Sequence, residues 1–91
     1  MTAPRIERGR LARSMAGRDR GRLFVVVSEQ DEDFVMVCDG RLRTLDRPKK
    51  KRRKHLKPLP ALHCAVAEGA RVEDHQLRQW ICEEEEKLVQ V

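Results

Sequence analysis

GRLARSMAGRDRGRLFVVV, residues 9–27, is two apolar runs interrupted by AGRDRG, Ala16 to Gly21. Arg10–Ala16 alternates, with Ala12, Ser14 and Ala16 on one face, as a half-buried strand does. Arg22–Ser28 is rich in β-branched residues and ends in polar ones, the composition of a second strand. The interruption carries two glycines, three charges and one alanine. Glycine enters backbone conformations closed to other residues, so Gly21 is expected at positive φ or close against another backbone. Successive amides in such a turn can form a small anion-binding concavity. Beside it, the guanidiniums of Arg18, Arg20 and Arg22 can grip phosphate with two hydrogen bonds each. A plain hairpin with solvated charges competes with this on spacing alone.

Outward from that stretch the short runs continue. EQDED supplies a turn, and FVMVC, Phe34–Cys38, reads as a third strand. Asp39-Gly40 is a strong hairpin signal, since both residues tolerate the positive φ of a type I′ turn. RLRTLD, Arg41–Asp46, then reads as the fourth strand. Four strands at about ten-residue spacing suggest a meander that closes into a small barrel. Pro48 is expected to end the sheet. KKKRRKH, Lys49–His55, cannot pack a core and is expected to stay mobile until bound. ALHCAVAEG, Ala61–Gly69, fits either a fifth strand or a short helix. From Glu73 the pattern turns helical, with Leu77, Trp80, Ile81 and Leu88 on one face. Asp74 or Glu73 suits the helix start, whereas the run Glu83–Glu86 lies late, where the dipole disfavours it. The division that results is a flexible tail over 1–8 and a barrel core over 9–46. A basic segment over 47–60 follows, and then a C-terminal extension over 61–91 with a helix at 74–89.

Charge narrows the function classes. Of the 91 residues, 38% are charged, against roughly 25% in a typical domain. The net charge is +5, but residues 1–22 carry +5, residues 23–40 carry −5, residues 41–57 carry +9 and residues 68–91 carry −4. Two basic segments flank an acidic one, where a plain solubility surface would mix the signs. That pattern invites a polyanionic partner, with charge runs that are merely solvated as the alternative. No apolar stretch approaches the roughly 18 residues of a membrane span, and MTAPRIERGR lacks the apolar core of a secretory signal. A cytoplasmic protein is expected, with neither a membrane nor a small-molecule substrate as partner.

Cys38, Cys64 and Cys82 are widely spaced and odd in number. No pair has metal-ligand spacing, so each is expected to be a small buried or half-buried apolar residue. His55, His63 and His75 complete no zinc set. No acid pair, Ser-His-Asp set or Cys-His set marks a catalytic centre. Neither a cofactor nor an enzymatic activity is expected.

GRLARSMAGRDRGRLFVVV has the form of a KOW motif: a strand, a loop ending in glycine, and a second apolar strand. Together AGRDRG, DGRLR (Asp39–Arg43) and RPKKKRRKHL (Arg47–Leu56) resemble the KOW-domain RNA-binding proteins of bacterial type. Those are related to eukaryotic and archaeal large-subunit ribosomal proteins with a KOW motif. The resemblance covers Ile6 to about Pro58, over half of the chain, and places Gly21 at the motif glycine. It implies a mainly β fold, an SH3-like barrel with a C-terminal helix, and RNA binding with ribosomal RNA as the natural candidate.

The expected function is therefore a non-enzymatic RNA-binding module that recognises structured RNA, with the ribosome as a possible wider partner. The alternative is a protein-interaction adaptor on the ribosome or the transcription machinery, using the acidic helix. The candidate RNA contacts of the loop are Arg13, Gly17, Arg18, Arg20, Gly21 and Arg22. Arg41 and Arg43 follow the hairpin. Lys49, Lys50, Lys51, Arg52, Arg53, Lys54 and Lys57 form the tract, whose dense charge suits the phosphate backbone. Aromatic stacking is not expected as the main mode, because Phe24, Phe34 and Trp80 each have a credible core position.

Overall fold

A computed structural model describes residues 3–89 of the chain. Among the described residues there are five strands: β1 (Arg10–Ser14), β2 (Leu23–Glu29), β3 (Phe34–Cys38), β4 (Lys49–Arg52) and β5 (Leu56–Leu62). They form one antiparallel sheet in the order β4-β3-β2-β1-β5. Irregularities between Val26 and Ser28 of β2, and between Arg10 and Ala12 of β1, break the pairing register. Such breaks bend strands and help a small sheet to curl. A 3₁₀ turn, Arg53–His55, carries the chain from β4 to β5, the two ends of the sheet order. The result is a small SH3-like barrel, followed by a short helix α1 (Cys64–Ala67) and a long helix α2 (Asp74–Val89).

The unbroken apolar run of β2 has a direct cause: both faces of that strand are covered. Phe24 and Val26 turn inward with Ala12, Val35, Val37 and Leu56 to fill the barrel. Leu23 and Val25 turn outward with Leu11 and Cys38, and meet Val66 of α1 and Leu77 and Ile81 of α2. Trp80 packs at the margin of this outer layer, edge-on to His63 at 4.9 Å. Leu88, expected on the same face, is 42% exposed. The helix outruns the sheet it covers.

Strand four differs most from the sequence expectation. Arg41–Asp46 forms no strand. The Asp39 carboxylate accepts the N–H groups of Arg41 and Arg43, at 2.9 and 3.0 Å, and coils the segment on itself. Gly40, at φ +78°, completes the bend where helix α2 begins: a Cβ there would collide with the Asp74 carbonyl. The fourth strand is instead Lys49–Arg52, paired residue by residue with Val37 to Phe34. Pro48 precedes a strand rather than ending the sheet. Four consecutive basic residues can serve here because β4 stands at the end of the sheet order. An edge strand tolerates lysine, whose long aliphatic stem covers apolar surface while the charge reaches water or a partner.

Smaller differences follow. Ala61–Gly69 is divided between the end of β5 and α1. The part of the N-terminal segment nearest the barrel is tied down: the Arg5 carbonyl accepts Arg10, the Ile6 carbonyl accepts Arg53, and Ile6 packs on the barrel core. Met1 and Thr2, expected to belong to a flexible tail, lie outside the described residues, as do the last two residues of the extension. Cys38 is buried as expected, but Cys64 and Cys82 are exposed. Burial, with Asp74 and Asp39 nearby, pushes the Cys38 thiol up to about 12.

Candidate nucleic-acid interface

The β1–β2 loop turns twice in quick succession, with Arg20 N–H to the Gly17 carbonyl at 3.3 Å and Arg22 N–H to the Asp19 carbonyl at 2.9 Å. Gly21 N–H closes the loop on the Ser14 carbonyl at 2.8 Å. Gly17 and Gly21 lie at φ +85° and +90°, in the left-handed region that favours glycine. No atom would obstruct a Cβ on Gly21, so its requirement is conformational and not spatial. Arg13, expected as a phosphate contact, donates instead to the Gly21 carbonyl at 2.9 Å and fastens the loop from below.

This geometry sends Asp19 inward and the arginines outward. The Asp19 carboxylate accepts the Ser14 hydroxyl at 2.6 Å, Lys49 Nζ at 2.5 Å and Lys51 Nζ at 2.6 Å. Lys51 also donates to the Ala16 carbonyl at 3.0 Å. Burial opposes a charge on Asp19. The three hydrogen bonds and the positive Lys51 outweigh it and hold the carboxyl well below the usual carboxylate range. Lys51 is only 7% exposed. It is a buried cation held by an acid and a carbonyl of the loop.

Around this anchored acid, Arg18, Arg20 and Arg22 are exposed. Arg18, Arg22, Arg43 and Lys49 line one groove of about 380 Å³, with Leu42 and Phe24 as its apolar lining and Asp19 and Asp39 as its acids. Leu42 is 69% exposed. Beside it, Arg22, Arg41 and Arg78 line a second groove of about 240 Å³ against the Glu85 side of α2. The loop, the coiled segment and the first tract lysine therefore share one continuous basic surface.

The remaining candidates separate. Lys50 and Arg52 project to the opposite face of β4. Arg53 turns away to the acidic β2–β3 loop, donating to the Asp31 carbonyl, the Ile6 carbonyl and Glu29. Lys54 follows in the 3₁₀ turn and Lys57 lies on β5 opposite Arg13; both are exposed. Asp19, Leu42, Phe34 and Arg78 are not marked out as site residues by the sequence. For Asp19 a signal exists: one acid amid basic residues, in a loop facing a basic strand, has partners to hold.

No family model matches the chain. The chain is similar to the large ribosomal subunit protein eL14 of Staphylothermus marinus, 38% identical over 56 residues. The match covers 62% of this chain and 58% of that protein, so the chain spans under two thirds of the relative's length. The likeness supports kinship with a large-subunit ribosomal protein and lends nothing to the bacterial type that the motifs suggested. Among the described residues, no helix is long and apolar enough to cross a membrane.

Proposed function

We propose that this protein is a non-enzymatic RNA-binding module that recognises structured RNA, ribosomal in kind, and acts in the cytoplasm on or near the ribosome. The observation that carries this reading is the Asp19 bridge, which binds the glycine loop to Lys49 and Lys51. The bridge makes one surface of two basic segments that are 30 residues apart in the chain. Similarity to a large-subunit ribosomal protein supports the same partner. On this surface Arg18, Arg20, Arg22, Arg41 and Arg43 contact phosphates, and Lys49 borders them. Lys50, Arg52, Lys54 and Lys57 add contacts that position without selecting sequence. Arg13, Gly17, Gly21, Lys51 and Arg53 hold the surface in shape and do not touch RNA.

Binding measured at several salt concentrations tests the reading. Arg18→Ala with Arg20→Ala should flatten the log–log salt slope by about 0.7–0.9 for each phosphate that is no longer gripped. The double variant should also lose preference for a folded RNA over a single-stranded homopolymer, because placed donors read shape. Unchanged affinity, slope and preference would show the loop to be an ordinary turn.

A further inference from the structure

The reading above uses charge alone, yet the outer face of β4 offers something else. Phe34 opens β3 and stands opposite Arg52 in the ladder, with Met36 opposite Lys50. Lys50 Nζ lies 4.5 Å and Arg52 Cζ 5.1 Å from the centre of the Phe34 ring. Phe24 belongs to the barrel core and is 2% exposed, whereas Phe34 and Met36 are half-buried and belong to neither of the two packed cores. Helices α1 and α2 pack over Leu11, Leu23, Val25 and Cys38, and thus over β1, β2 and the Cys38 end of β3, leaving Phe34 and Met36 outside that layer. Among the described residues, no further strand flanks β4 on its outer side in the sheet order.

Resting on the RNA reading, we infer that Phe34 is a stacking platform for one unpaired base of the RNA, with Lys50 and Arg52 gripping the adjoining phosphates. A cation resting on a partly exposed ring is held weakly. Phosphate is the stronger partner for both cations, and their long stems let them leave the ring. The vacated π face then takes a base, which stacks on any aromatic regardless of its identity. The acidic loop fixes the extent of the platform. Asp31, Glu32 and Asp33 are exposed immediately before Phe34. The Asp31 carboxylate accepts the N–H groups of Asp33 and Phe34, each at 2.8 Å, and these bonds keep it ionised. That negative charge repels a phosphate chain continuing along β3, so the strand leaves over the edge of β4, toward Lys49 and the groove on the other face. One base is read, not a run.

Two hairpin RNAs test this, one with a fully paired stem and one carrying a single bulged nucleotide. Binding is measured with the wild type, Phe34→Leu and Phe34→Tyr. The wild type should prefer the bulged RNA by about fivefold to a hundredfold, the range measured for a stacked aromatic. Phe34→Tyr should keep that preference. Phe34→Leu should lose it while binding the paired stem as before. A 4-thiouridine at the bulge of the RNA bound to the wild type should crosslink at Phe34, a readout that does not depend on how the leucine variant folds. Equal binding of both RNAs by the wild type, or crosslinking elsewhere, overturns the platform and leaves the phosphate reading standing. Binding of neither RNA overturns both.

Discussion

The two faces of β4 carry the same kind of side chain into opposite surroundings. Lys49 and Lys51 turn toward the barrel and meet Asp19; Lys50 and Arg52 turn outward and rest on Phe34. One face is a fastening, and the other carries the proposed contact surface. In a strand, neighbouring residues point to opposite sides, so a run of identical charges cannot act as one patch. Charge density therefore misleads in this tract: burial and partners decide which cations are free.

The largest expected effect is at the fastening. Asp19→Ala leaves Lys51 buried beside nothing but the Ala16 carbonyl, and should cost about 3 kcal/mol, the scale on which breaking a buried ion pair destabilises. Thermal or urea unfolding measures it. Lys51→Met should cost less, because Asp19 keeps Ser14 and Lys49 and the aliphatic stem is preserved. Equal, negligible losses in both variants would erase the distinction between the two faces.

Acid sharpens the same comparison. The carboxyl of folded Asp19 has a lowered pKa, so the folded state holds the proton less tightly than the unfolded chain does. The stability contributed is present above the unfolded value near 3.8 and is lost as the pH falls below it toward the folded value. Stability measured from pH 7 downward should fall in that window for the wild type, and less steeply for Asp19→Asn. Parallel curves would mean that Asp19 does not titrate in the fastening.

The smallest effect on stability is expected at the contact surface. Lys50→Ala removes an exposed cation whose hold on Phe34 is worth about 0.5–1 kcal/mol at most. Its unfolding midpoint should barely move, whereas its affinity for RNA should drop and its salt slope should flatten by about 0.7–0.9, the share of a single phosphate. A variant that unfolds readily and binds normally would invert the assignment.

Much of the barrel is legible in the sequence. The first strand announces itself by alternation, the second and third by β-branched runs, with glycine turns after the first and third, and the α2 face by Leu77, Trp80 and Ile81. The fourth strand is not, because its two signals compete. Arg41–Asp46 alternates like a strand, but the Asp39 side chain captures its amides, and a local hydrogen bond of that kind outcompetes a ladder. Lys49–Arg52 is too basic to suggest a strand; what recruits it is an acid contributed by a loop far away in sequence. The candidate site divides for the same reason. Exposed arginines in the glycine loop can be named from composition, but Lys51 and Arg53 go to internal partners that no spacing rule reveals. Phe34 is hard to recognise because an aromatic beside valines resembles core.

At the start of α2, the coiled segment after β3 is pinned to the helix from both directions. Leu45 N–H donates to the Asp74 carboxylate at 2.8 Å, and Arg78 donates to the Gly40 carbonyl at 2.8 Å. The loop that displays Arg41 and Arg43 thus has a buttress in helix α2. Any force a ligand exerts on those arginines is transmitted through two hydrogen bonds into the first turns of the helix. Local opening there should slow when the loop is gripped, and hydrogen exchange at amides around Asp74–Arg78 becomes a gauge of occupancy at the neighbouring loop. The acidic helix, which follows the barrel in the chain, works as a strut.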